Sequence, residues 1–135
     1  MADAASVRVQ RDPWLMIAGA LAIVFGLATI RAGARVLFGV PEAVSEAGNY
    51  VAFVLWFNFI AGLFYVLAGI GLWLRSRWAI ALATAIAVAT LLVFAAFGLH
   101  AATGGAWESR TLAAMTLRSA VWIVLAFLAA RRIAH

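Results

Sequence analysis

Cysteine is absent from the 135 residues, and so is lysine. Without thiols there can be no disulfide, no thiolate metal site and no cysteine nucleophile. The missing lysine leaves all ten basic charges on arginine, a bias that codon usage produces as readily as chemistry does. Charge itself is scarce. Only 11% of residues are charged, against about 25% in ordinary soluble domains. The five carboxylates, Asp3, Asp12, Glu42, Glu46 and Glu108, all fall outside the long apolar runs. Small four-helix exporters that couple to protons usually carry a carboxylate within the membrane, so this absence argues against one. No Ser–His–Asp grouping, phosphate loop or HExxH motif occurs either. The stretch "ATGG" is a flexible turn and not a nucleotide site.

What fills the chain instead is apolar. Hydrophobic residues make up 67%, and the mean hydropathy is +1.07. One soluble domain of this length cannot hide so much apolar surface from water, whereas a bilayer removes the need. The net charge of +5 is distributed as pairs at the ends of apolar runs: Arg8 with Arg11, Arg31 with Arg35, Arg75 with Arg77, Arg131 with Arg132. Nucleic-acid binding wants a clustered basic face on a soluble fold. Arginines that punctuate hydrophobic spans read as topology signals. The expected partner is therefore a lipid bilayer, and nucleic acid is excluded.

A spanning helix needs about 20 mostly apolar residues. Four stretches meet that length, at about 13–36, 50–74, 78–100 and 111–130. Asp12 suits the N-cap of the first and Pro13 its first helical position, where the missing N–H costs nothing. Period-two alternation is lacking, which excludes strands. Within "GVPEAVSEAGNY", Pro41 and Gly48 bracket a short surface helix with Glu42 and Glu46 on one face. The predicted fold class is all-α: one transmembrane domain over 1–135, an integral membrane four-helix bundle with short loops.

Six arginines in the N-terminal tail, the 75–77 turn and the C-terminus face only Asp3 and Asp12, a balance of +4. Arg31, Arg35, Arg110 and Arg118 face Glu42, Glu46 and Glu108 on the other side, a balance of +1. The excess places both termini in the cytoplasm, with Trp14, Trp73 and Trp78 at the inner interface and Tyr50 and Trp107 at the outer. No cleavage signal precedes the first run, so its helix is expected to be a retained signal anchor in a bacterial inner membrane.

Glycines recur at Gly19, Gly26 and Gly33 in the first helix, with Ala22 and Thr29 between them. Gly62 and Gly69 share a face of the second with Asn58 and Tyr65. Small residues at such spacing let helices approach closely. The seams serve either packing within the bundle or association with another membrane protein or a second copy.

One charge stands inside a span. Arg118 lies about 10 Å beyond Thr111 along its helix, at roughly 2.5–3.5 kcal/mol on insertion scales before compensation. Trp122, one turn on, offers an aromatic face for the guanidinium, and Asn58 lies at similar depth. Arg31, Arg35, His100, Glu108 and Arg110 gather at the same outer end. Two readings follow. Arg118 pairs with Glu108 or with a glutamate of the 42–46 segment and fixes loop to helix; or the arginines line an outward cavity for an anionic or quinone-like ligand. A lone His100 cannot supply bis-histidine haem ligation within one subunit. With Glu108 it makes an incomplete metal pair without recognised spacing, and a capped helix end is its structural account.

In plan, the stretches "WFNFIAGLFYVLAGIGLWLRSRW" and "HAATGGAWESRTLAAMTLRS" resemble small, uncharacterised four-helix bacterial inner-membrane proteins of the DoxX-like type. The likeness covers all four helices and carries no catalytic motif, so no functional residue transfers. Some DoxX-like proteins are subunits of quinone-linked oxidoreductases, so the resemblance implies a redox-accessory role with haem or quinone. The residues themselves point first to a non-catalytic membrane accessory or binding protein with an arginine-rich outer pocket. A redox subunit and an anion-conducting or transport oligomer are the alternatives.

Overall fold

The computed structural model describes residues 12–48 and 51–134. Five helices follow one another, with no strand among the described residues: α1 Pro13–Leu37, α2 Pro41–Ala47, α3 Ala52–Trp73, α4 Trp78–Ala102 and α5 Ser109–Ile133. The four long ones hold 22 to 25 residues, or about 33 to 38 Å against a hydrocarbon core of about 30 Å. Each is long and apolar enough to cross a membrane. The chain is thus an all-α, multi-pass membrane bundle, with span boundaries within three residues of those read from the sequence. Asp3, Arg8, Arg11 and Tyr50, which entered the topology reading or its charge count, lie outside the described residues.

Local chemistry sets the helix ends. Asp12 Oδ1 accepts the Trp14 N–H at 2.9 Å and Pro13 opens α1, as expected. At the far end of α1 the chain turns through Gly39 at φ 77°, and Val40 N–H closes back on Arg35 O at 2.9 Å. This is the left-handed helix stop that glycine tolerates without a Cβ penalty. The α3–α4 turn repeats it with Arg75 at φ 58°, the Ser76 N–H reaching Gly71 O at 2.9 Å. An arginine there costs about 1–2 kcal/mol. Its guanidinium offsets part of this by donating from Nη2 to Arg132 O at 2.8 Å, tying the turn to the end of α5.

The tightest pair is α1 against α3, antiparallel, and the glycines explain it. A Cβ on Gly19 would sit 2.5 Å from Gly69 O, and one on Gly69 2.6 Å from Gly19 O. Gly26 and Gly62 make the same reciprocal approach at 2.8 and 3.1 Å. Seven-residue spacing on both helices keeps the two small faces together over two turns. The glycine seams read from the sequence therefore meet inside one chain.

From this pair the bundle continues, α3 on α4 and α4 on α5, around a core of Leu15, Tyr65, Leu72, Ile86, Trp122 and many alanines. A second cluster, Val51, Val54, Phe97 and Met115, fills the end away from the termini. The fourth seam differs. Helices α1 and α5 touch at few points, and two polar ties span the gap. At the terminal end Arg132 Nη1 meets Asp12 Oδ2 at 2.8 Å; about halfway along, Arg118 reaches Thr29.

Two outcomes test this arrangement. Gly69→Val should lower stability by about 1–3 kcal/mol, the range for overpacking, because the atoms it meets are backbone. Gly98→Ala, with nothing within 4 Å of the added carbon, should not; denaturant titration in one detergent compares them. The second concerns Asp12, whose carboxyl is held below the ordinary carboxylate range chiefly by its hydrogen bond from Arg132, with partial burial opposing. A lowered folded-state pKa means that the folded form binds fewer protons. This stability is complete above about pH 4 and fades as pH falls through the folded value. Asp12→Asn keeps a capping acceptor and should remove that acid dependence at a loss of no more than about 1 kcal/mol near neutrality, read by the same titration at pH 7 and pH 3.

Candidate functional site

Arg118 stands nine residues beyond Ser109, the first residue of α5, about 14 Å along the helix. Its Nη1 donates to Thr29 Oγ1 on α1 at 3.0 Å and, at a longer 3.4 Å, to Tyr65 OH on α3. One guanidinium thus holds three helices. Its central carbon lies 5.1 Å from the Phe25 ring centroid and 5.9 Å from that of Tyr65. Tyr65 is fully buried, stacked between Phe25 at 5.4 Å and Trp122 at 4.8 Å. Of the two readings for Arg118, the ion pair is not the one seen: among the described residues no salt bridge joins it to Glu42, Glu46 or Glu108. The hydroxyls of Thr29 and Tyr65 replace it, since they face the α1–α3 seam where the guanidinium enters. Trp122 does not carry the guanidinium either; it props the tyrosine that does.

Above Arg118, on the side away from the termini, a cavity of about 280 Å³ opens between α1, α2, α3 and α5. Arg35, Arg110, Arg118, Asn58, Glu46 and Glu108 all line it, with Thr29 and Thr111. Five of the seven residues singled out in the sequence therefore converge: Arg118, Asn58, Arg35, Glu108 and Arg110. Arg110 Nη1 also donates to Glu46 O at 3.1 Å, which pins α2 over the cavity. The Glu108 carboxylate lies against Gly48, the residue that ends α2.

Two residues depart from expectation. His100 does not line the cavity; its Nε2 hydrogen-bonds to Ala106 O at 3.0 Å, because the chain after α4 doubles back over the helix end. The helix end itself is closed by backbone bonds, Thr103 N–H to Leu99 O and Gly105 N–H to His100 O. Arg31 is exposed and outside the cavity, about 200° round the helix from Thr29. Among the described residues no three His, Asp or Glu side chains gather as metal ligands would.

The sequence reading did not place Thr29, Tyr65 or Phe25 at the site, and it had Glu46 there only as one of the candidate carboxylates for pairing with Arg118. A signal existed for two of them: Thr29 stands on the glycine face of α1 and Tyr65 on that of α3. Four buried polar atoms have no hydrogen-bond partner among the described residues: Asn58 Oδ1, Arg118 Nε, Ser119 Oγ and Trp122 Nε1. Two of these belong to cavity-lining residues. Leaving such a group unpaired costs about 1–3 kcal/mol, so the site retains bonding capacity at the depth of Arg118.

Chemically the cavity offers three guanidinium groups against two carboxylates, with hydroxyl and amide groups between them. Guanidinium donors match the oxygens of carboxylate and phosphate. Comparison of the chain with protein-family models, with curated proteins and with solved structures finds no match in any of the three.

If Arg118 is held as described, Thr29→Val and Tyr65→Phe should each destabilise the protein. The loss for Thr29→Val should be about 1.5–3 kcal/mol, the range for a hydrogen bond to a charged group, and smaller for the longer Tyr65 bond. Arg31→Gln, exposed and outside the cavity, should cost less than Thr29→Val. Denaturant titration of the four purified proteins gives the order.

Proposed function

We propose that this chain is a non-catalytic binding protein of the membrane that takes up an anionic group in its arginine-lined cavity. The convergence of Arg35, Arg110 and Arg118 from two helices on one cavity of about 280 Å³ carries the reading. Glu46 and Glu108 offset two of the three charges, which leaves room for a single negative charge. Arg35 and Arg118 are half-buried and Arg110 is exposed, so the contacts nearest Arg118 act in the lowest dielectric and are worth more than those at the mouth.

Binding is favoured over conduction by what lies beneath. Below Arg118 the interior is filled by Tyr65, Trp122 and Leu72, each buried to 0% exposure, so the cavity ends blindly within one protomer. By the arginine balance, the cavity end faces away from the cytoplasm and the protein belongs to a bacterial inner membrane. The DoxX-like resemblance would make it an accessory subunit of a larger assembly, with the cavity as its ligand site.

The test uses inorganic phosphate and sulfate as probes, titrated calorimetrically into the detergent-purified protein. Saturable binding at one site should weaken about tenfold or more in Arg35→Gln, the factor carried by about 1.4 kcal/mol of lost charge-assisted contact. Arg31→Gln, outside the cavity, should leave it unchanged. No saturable binding, or equal effects of the two substitutions, would refute the reading. A haem or quinone carried through purification at fixed stoichiometry would replace it with the redox-subunit alternative.

A further inference from the structure

Below the cavity, along the same α1–α5 seam, runs a groove of about 480 Å³ with an almost wholly apolar lining. Its walls include Leu21, Ala22 and Phe25 from α1 and Leu117, Val121 and Leu125 from α5. The groove and the cavity meet end to end. On α1 the groove stops at Phe25 and the cavity begins at Thr29, one turn on. On α5 the groove starts at Leu117 and the cavity ends at Arg118. The guanidinium stands at the junction, over the Phe25 ring and bonded to Thr29. Its Nε, buried and without a partner among the described residues, adds a donor there.

We propose that the ligand is an anionic phospholipid of the surrounding bilayer, with its headgroup phosphate in the arginine-lined cavity and one acyl chain in the α1–α5 groove. This rests on the anion-binding reading above and specifies its ligand. Three features favour a bilayer lipid over a free anion or a second copy of the chain. The apolar groove adjoins the charged cavity, one turn apart on α1 and at neighbouring residues on α5, which suits a molecule with a charged head and an alkyl tail. From Leu117 to Leu125 the groove runs about 12 Å along α5, close to the roughly 15 Å of one leaflet's hydrocarbon. The groove is also open sideways: Leu21 is 63% exposed, Leu117 58% and Val124 62%. A lipid can therefore enter laterally and leave its second chain in the bilayer. Three guanidinium groups against two carboxylates match a singly charged phosphodiester rather than a zwitterionic headgroup.

Native mass spectrometry of the full chain in detergent tests this, with phosphatidylglycerol and phosphatidylcholine of identical chains offered in competition. Calorimetry with inorganic phosphate runs alongside. The key variant is Ala120→Trp, which fills the groove from its exposed side and touches neither the cavity nor the core. One phosphatidylglycerol per chain should be retained, preferred over phosphatidylcholine by at least about tenfold. Ala120→Trp should abolish that retention and leave phosphate binding intact. If phosphate binds with Arg35 dependence but the two lipids compete equally, or Ala120→Trp retains phosphatidylglycerol as well as the parent, the lipid inference is overturned and the anion site survives. If neither phosphate nor phosphatidylglycerol binds, both readings fall together. A dimer in the spectrum that Ala120→Trp dissociates would make a second copy the occupant, and would likewise overturn the inference.

Discussion

Away from the terminal end, where Arg132 meets Asp12, the α1–α5 seam depends on one guanidinium inside the span. The other three seams of the ring are made by packing. On the fourth, α1 and α5 barely meet, and Arg118 crosses to Thr29 and Tyr65. A charge at that depth is expensive, so it persists only where donors find acceptors and the stem finds rings. Both conditions are met by the same helices that the glycines bring together. The seam is thereby left part open, with polar surface above Arg118 and apolar surface below it.

The glycine packing and the arginine are therefore one design. Gly26 and Gly62 let α1 and α3 approach until Thr29 and Tyr65 lie close enough to share one guanidinium. Phe25 and Trp122 enclose Tyr65 and hold its ring in place. Loosening the glycine seam would separate the two hydroxyls before it unfolded any helix. The proposed anion binding would then fail through geometry while the charge stayed in place.

Much of this was legible in the residues. Helix number, length and caps follow from hydropathy, Asp12, Pro13, Pro41 and Gly48, all local signals. Gathering of arginines at one end was legible too, because helix direction alternates and loops are short. Arg118's partners were not. Carboxylates are the obvious candidates by charge, yet which of them reaches a guanidinium depends on how α1 rotates, and Thr29 is 89 residues away in sequence. Rotation also decided between Arg31 and Arg35, four residues apart, of which only Arg35 lines the cavity. His100 was misplaced because the chain after α4 folds back on its own helix end, a turn that hydropathy does not encode.

The central claim, that Arg118 holds the α1–α5 seam at mid-span, beyond the reach of the Arg132–Asp12 pair, is most directly tested by a distance across it. The chain has no cysteine, so spin labels at Leu21→Cys and Val124→Cys report on the α1–α5 gap alone. Pulsed electron spin resonance in lipid nanodiscs should give one narrow distance distribution in the parent protein. With Arg118→Gln added, that distribution should broaden and shift to longer distance, while labels across α1 and α3 stay unchanged. An α1–α5 distribution identical with and without Arg118 would contradict the account.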